Sequence, residues 1–185
     1  MLYQLKKHIR KKMKNKLTVT NLLILANIIM FAVQNTIEHG DIKLGLNIYF
    51  LQYELWYQPL STMFVHGGIA HILMNMFVLF QFGNQIEEGI GKIRYIILYF
   101  IGGLLTSLGS YAYMYYSGDW ANLVGASGAI SVLIGFIALR DKFNRKGLVI
   151  WILLISFAPL LIGLPVAWYA HIIGFIFGWL LGYIL

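Results

Sequence analysis

Helix-length apolar runs recur along this chain with almost nothing between them, and that recurrence limits what it can fold into. The runs cover roughly 17 to 35, 60 to 83, 93 to 114, 124 to 140, 147 to 163 and 166 to 185. A bilayer core about 30 Å thick needs about 20 apolar residues per helix, and each run is of that order. Composition agrees: 59% of the 185 residues are hydrophobic, 11% are charged and the mean hydropathy is +0.73, well beyond the apolar share of a soluble domain. The expected fold is therefore an all-α polytopic membrane protein with six transmembrane helices. A basic tail over 1–16 leads into one membrane domain over 17–185. The first run is read as a retained anchor, because it is long and no small-residue cleavage site precedes the acidic loop. With no cysteine in the chain, disulfides, haem attachment and thiolate metal sites are excluded.

Charge placement orients the bundle. Lys6, Lys7, Arg10, Lys11, Lys12, Lys14 and Lys16 lie in the tail, Lys92 and Arg94 between the second and third runs, and Arg140, Lys142, Arg145 and Lys146 between the fourth and fifth. Every basic residue except Lys43 thus falls on one side, while Glu38, Asp41, Glu54 and Asp119 lie on the other. The positive-inside rule makes the basic side, with both termini, cytoplasmic. A net charge of +7 is explained by topology and anionic lipid, so no nucleic-acid partner is implied. The first outer connection, about 36 to 59, is long and rich in aromatic residues from Tyr49 to Tyr57, as suits the outer interface.

With the amino terminus inside, the second, fourth and sixth helices run from outside to inside. Their early residues then lie in the outer half of the membrane, and those residues include His66, His71, Asn75, Ser127 and His171. At the helical rise per residue all five fall about 5 to 15 Å below the outer surface. Polar side chains at that depth are costly and mark function or interhelical hydrogen bonding. His71 and Asn75, four apart, share a helix face and suit a developing oxyanion. Ser127 stands near a helix start, where unpaired amides point outward, so its own N–H is a further oxyanion donor. A serine hydroxyl needs a base, and His171 is the only histidine on another helix of the same direction. No carboxylate lies at that depth, so a dyad is expected. In His171-Ile-Ile-Gly174-Phe-Ile-Phe-Gly178 the glycine spacing allows a neighbouring backbone to come close and bring His171 to Ser127.

Together, His66-Gly-Gly-Ile-Ala-His71-Ile-Leu-Met-Asn75, Gly125-Ala-Ser127-Gly128 and the His171-to-Gly178 run resemble the three signature blocks of the rhomboid family of intramembrane serine proteases, in order, over about 17 to 185. The resemblance implies a prokaryotic, six-helix enzyme of the inner or plasma membrane, with its site opening to the extracytoplasmic side. It implies hydrolysis of peptide bonds in or near transmembrane segments of single-span or polytopic membrane-protein substrates, without cofactor or metal. By position, Ser127 is the nucleophile, His171 the base, and His71, Asn75 and the Ser127 amide the oxyanion donors, with His66 beside them. Gly125, Gly128, Gly174 and Gly178 serve packing, and Glu87 matches a structural glutamate at the inner end of the second helix.

Two positions depart from the family pattern. Tyr57-Gln58 stands where relatives often carry Trp-Arg in the first outer loop, and Ser131 stands where they often place a ring against the catalytic histidine. One turn below Ser127, the Ser131 hydroxyl is expected to bond His171 instead. A metal site built from His66, His71 and His171 is the rival reading, but His66 and His71 are five apart, off one helix face, and no H-E-x-x-H is present. A catalytically dead relative would have lost the serine or the histidine. Access is expected through the fifth helix, which carries no polar residue matching the site. Its Trp151 and Phe157 would wedge against Phe77 and Phe80 of the second.

Overall fold

The computed structural model describes residues 17–163 and 165–185, which form nine helices joined by short connections. They are α1 (Val19–Gln34), α2 (Gly40–Leu44), α3 (Tyr49–Gln52), α4 (Gln58–Ser61), α5 (Ile69–Ile90), α6 (Lys92–Ser117), α7 (Ser127–Arg140), α8 (Arg145–Leu161) and α9 (Trp168–Leu181). The basic tail over 1–16 lies outside the described residues. Two of the helices, α5 and α6, are long and apolar enough to cross a membrane, whereas α1, α7 and α9 are shorter apolar helices. The 14 residues of α7 rise about 21 Å, less than the hydrocarbon thickness. Gly125 and Ala126 lie outside the helix, which starts at Ser127.

The core forms where α5, α6, α7 and α9 meet, and α7 is its axis. Ala129 to Phe136 are buried without a break, so every face of that stretch meets another helix. The sequence permits this because the run is apolar all round, with only Ser131 as a polar member. Near the carboxyl end of α5, buried Glu87 caps α1: its carboxylate accepts from the N–H groups of Val19 and Thr20 and from the Thr20 hydroxyl, each at 2.9 Å. An anion there meets the unpaired amides and the positive end of the helix.

The long first connection is an ordered cap of three short helices. Phe50 is buried edge-on to both Trp56 and Tyr111, while Tyr49, Tyr53, Trp56 and Tyr57 stay exposed. Tyr57 Oη and Gln58 Nε2 both donate to the Lys43 carbonyl, at 3.1 and 3.3 Å, and Ser61 Oγ donates to that of Leu44 at 2.6 Å. The residues that depart from Trp-Arg thus hold the loop through neutral donors to its backbone.

Across the bundle α8 packs differently from α7, burying only Ile152 and Ser156 fully. Its amino end is tied down by Arg145, which donates to the carbonyls of Ala138 and Leu139 at 2.7 and 2.8 Å and covers the Trp179 ring. The preceding turn is held by Asp141, whose carboxylate accepts from the Asn144 side chain at 2.7 Å and from two backbone amides. Led by the Asn144 amide group, these bonds keep the carboxyl below the ordinary aspartate range. Towards its carboxyl end α8 contains Pro159, which removes a helical hydrogen bond. The partners expected for its aromatic residues are different ones: Trp151 packs on Phe82 and Phe157 on Trp168, while Phe77 and Phe80 are exposed.

Candidate active site

Ser127 is the first residue of α7, and the segment before it is strapped on two sides. Leu46 and Leu123 exchange backbone hydrogen bonds of 3.0 and 2.8 Å. On the other side Thr62 Oγ1 donates to the Leu123 carbonyl, and the Gly125 N–H donates to the Thr62 carbonyl at 2.9 Å. Gly125 has φ of 125°, a conformation that favours glycine. A Cβ on it would lie 2.9 Å from His71 Nε2 and 3.6 Å from Ser127 Oγ. The missing side chain therefore leaves a small space bordered by the His71 ring and the Ser127 hydroxyl. The N–H groups of Ser127 and the two residues after it have no acceptor within the helix, and they sit at its positive end.

The backbones of α7 and α9 run side by side in the same direction. Gly174 abuts the Gly128 carbonyl and lies 3.0 Å, measured from an ideal Cβ, from Ser131 Cβ; Gly178 abuts the Val132 carbonyl, and Gly135 reciprocates against that of Phe175. No side chain fits at these contacts, so the glycines set the helix separation. His171, one turn before Gly174, is carried to the level of the turn that opens α7. It is buried, 7% exposed, with Nδ1 3.2 Å from Ser156 Oγ of α8.

That contact corrects two expectations. Ser131 does not reach the histidine, because its hydroxyl donates back to the Ser127 carbonyl at 2.7 Å, the usual recourse of a serine inside a helix. The fifth helix does carry a polar residue at the site, namely Ser156, fully buried. Ranking candidates by ionisable groups passed over it. The available signal was a lone hydroxyl in the apolar run of the fifth helix, which needs a partner in hydrocarbon.

Helix α5 supplies the opposite wall. His66 is not on this helix as expected, since the chain at His66-Gly67-Gly68 is unwound and α5 begins at Ile69. Gln34 clamps the His66 backbone with a pair of hydrogen bonds of 2.6 and 2.9 Å. The His66 ring stands edge-on to that of His71, 5.2 Å between centroids, with its Nδ1 3.2 Å from the Phe64 carbonyl. His71 Nδ1 accepts the Gly67 N–H at 3.3 Å. In a neutral imidazole the proton is then on Nε2, the atom that borders the Gly125 space. Asn75 Nδ2 donates to the His71 carbonyl at 2.9 Å, which uses one of its two protons. Among the described residues, no group of three or more His, Cys, Asp or Glu side chains is arranged to hold a metal ion.

Comparison with known proteins bears on the same residues. A model of the Rhomboid domain matches residues 53–185. The chain is 38% identical to RHOMBOID-like protein 4 of Arabidopsis thaliana over 135 residues, 68% of this chain and 33% of that protein. It is 31% identical to the rhomboid protease GlpG of Haemophilus influenzae over 140 residues, 71% of this chain and 70% of that protein. With GlpG of Salmonella paratyphi A it shares 28% identity over 172 residues, 86% of this chain and 60% of that protein. The chain thus spans about a third of the plant relative's length and roughly two thirds of the bacterial ones. A family model covering most of the chain, together with these relatives, means that the chain belongs to the rhomboid family.

Proposed function

We propose that this protein is an intramembrane serine endopeptidase that cuts membrane-protein substrates in or near their transmembrane segments. Ser127 Oγ attacks the scissile carbonyl carbon while His171 Nε2 takes the hydroxyl proton. The oxygen that becomes negative lies in the Gly125 space and accepts from His71 Nε2–H, the second Asn75 amide proton and the Ser127 N–H. Collapse breaks the peptide bond, and His171 gives its proton to the leaving amine. Water, deprotonated by the same histidine, then hydrolyses the acyl-enzyme. His66 backs the His71 ring, and no cofactor takes part.

The observation that carries this reading is the Gly125 space itself, bordered by a histidine N–H on one side and a helix-start serine hydroxyl on the other. The glycine packing of α9 on α7 supports His171 as the base. In the membrane, α1, α5, α6, α7, α8 and α9 are the six crossings, with both termini cytoplasmic and the site opening to the extracytoplasmic side of a prokaryotic cell membrane. Such an orientation follows from the one-sided basic residues. Substrates enter past α8.

A fluorophosphonate probe tests the reading. The purified protein should be labelled, Ser127→Ala should abolish labelling, and chelators should have no effect. Purified protein in vesicles should also cut single-span substrates near their outer ends, with the cut mapped by mass spectrometry. Substantial turnover by Ser127→Ala would overturn the proposal.

A further inference from the structure

We propose that Ser156 of α8 is the positioning residue for the catalytic base, locking His171 in the tautomer with its proton on Nδ1. The inference rests on the protease reading above and adds to it the group that replaces the absent carboxylate. Proton counting carries it. The Ser156 hydroxyl has one proton, and it donates that proton to the Ile152 carbonyl at 2.6 Å. Towards His171 Nδ1, 3.2 Å away, the oxygen can only accept. The N–H of the pair therefore belongs to the imidazole, and a neutral ring protonated on Nδ1 presents a lone pair on Nε2. That lone pair is what a base facing Ser127 requires.

Among the described residues Ser156 is the one hydrogen-bond partner of the His171 ring. Ser131 is committed to the Ser127 carbonyl, Gly174 and the α7 backbone touch without side chains, and two buried or turn carboxylates are engaged elsewhere, Glu87 at the start of α1 and Asp141 in the turn before α8. His71 holds the opposite tautomer through Gly67. The site thus contains one histidine set as a donor and one set as an acceptor, each by a single neutral hydrogen bond. Because Ser156 is on α8, the base is aligned only while the middle of that helix is seated.

The test combines kinetics with histidine nitrogen NMR on the full chain in lipid. A positioned base contributes about 100- to 10,000-fold, and loss of its orientation forfeits part of that. Ser156→Ala should lower kcat about 10- to 100-fold with KM little changed, and by the same factor for a membrane substrate and a short soluble peptide. In the Ser127→Ala background, His171 should carry its proton on Nδ1, and adding Ser156→Ala should remove that preference. A wild-type kcat in Ser156→Ala, a loss confined to the membrane substrate, or an Nε2-protonated His171 before Ser156 is altered would each overturn the inference. The NMR measurement on the serine-intact α8 holds even if Ser156→Ala fails to fold. Were the protease reading itself wrong, Ser127→Ala would still turn over, an outcome separate from all of these.

Discussion

Helices α7 and α8 are neighbours of similar composition, yet one is an enclosed platform and the other a wall fully buried at only two positions. Burial accounts for the contrast. Apolar side chains of α7 meet protein on every side from Ala129 to Phe136, and its backbone touches α9 at Gly128, Val132 and Gly135. Fully buried on α8 are only Ile152 and Ser156; its amino end is tied by Arg145, and its carboxyl end carries Pro159 and the exposed Leu161 and Ile162. A nucleophile has to stay within a fraction of an ångström of its productive position, whereas a substrate helix needs a boundary that yields. On the proposed reading, the two requirements fall on adjacent helices.

If α7 is the platform, removing its chemistry should have the largest effect. Ser127→Ala and His171→Ala should each abolish proteolysis without unfolding the protein. Their losses should not add, since residues that act as a unit give a double mutant about as inactive as either single one. Rates of the two single variants and the double variant, measured on one substrate, check this. Additive partial losses would mean that the platform does not hold a dyad.

The oxyanion wall comes next. Loss of one donor costs on the order of 100- to 1000-fold in kcat, so Asn75→Ala should be crippled but measurable, with substrate affinity little changed. Steady-state kinetics with a short peptide check this. A wild-type rate would return Asn75 to a packing role through its bond to the His71 carbonyl.

Stability sharpens the contrast directly. A Cβ at Gly178 would run into the Val132 carbonyl, whereas one at Gly147 on α8 meets nothing within 4 Å. Gly178→Ala should therefore destabilise by about 1–3 kcal/mol, as overpacking does. Gly147→Ala should be neutral or stabilise by up to about 1 kcal/mol through lower unfolded-state entropy. Thermal denaturation in detergent compares the two, and equal effects would erase the distinction between the helices.

What could be read from the sequence follows the same division. Six apolar runs correspond to α1, α5, α6, α7, α8 and α9, because a run apolar on all faces leaves few alternatives to a helix. The residues of the candidate site were legible where a costly group stood in hydrocarbon, as with Ser127, His71 and His171. The break at Gly67-Gly68, which puts His66 outside α5, was not legible. The segment is held there by the Gln34 bonds to the His66 backbone, a contact between residues 32 apart in sequence. Ser156 was missed for a related reason. A serine is cheap enough to be overlooked singly, and its meaning depends on Ile152 taking its proton and His171 supplying another. Tyr57 and Gln58 depart from the family's usual pair and hold the loop through the Lys43 carbonyl. Chemistry at that position was therefore not legible from residue identity alone.

The smallest expected effect concerns the wall itself. On α8, Trp151 packs on Phe82 of α5 at 5.8 Å between ring centroids, whereas Phe157 packs on Trp168 of α9. Of these two ring contacts, only Trp151–Phe82 must part when α8 moves away from α5, so Trp151 is the residue to shrink. Trp151→Ala should speed cleavage of a membrane substrate by about 2- to 5-fold, as expected when opening contributes to the limiting step. A short soluble peptide, which need not part the helices, should be cut at nearly the wild-type rate. Ser156 lies five residues further along α8 and keeps its bond to His171 when the helix is seated, so opening more often also leaves the base unaligned more often. That opposition limits the gain, and it predicts that a still looser wall, made by combining Trp151→Ala with Phe82→Ala, loses peptide activity while gaining no further speed on the membrane substrate. Equal acceleration of both substrates by Trp151→Ala would mean that α8 is not the moving wall.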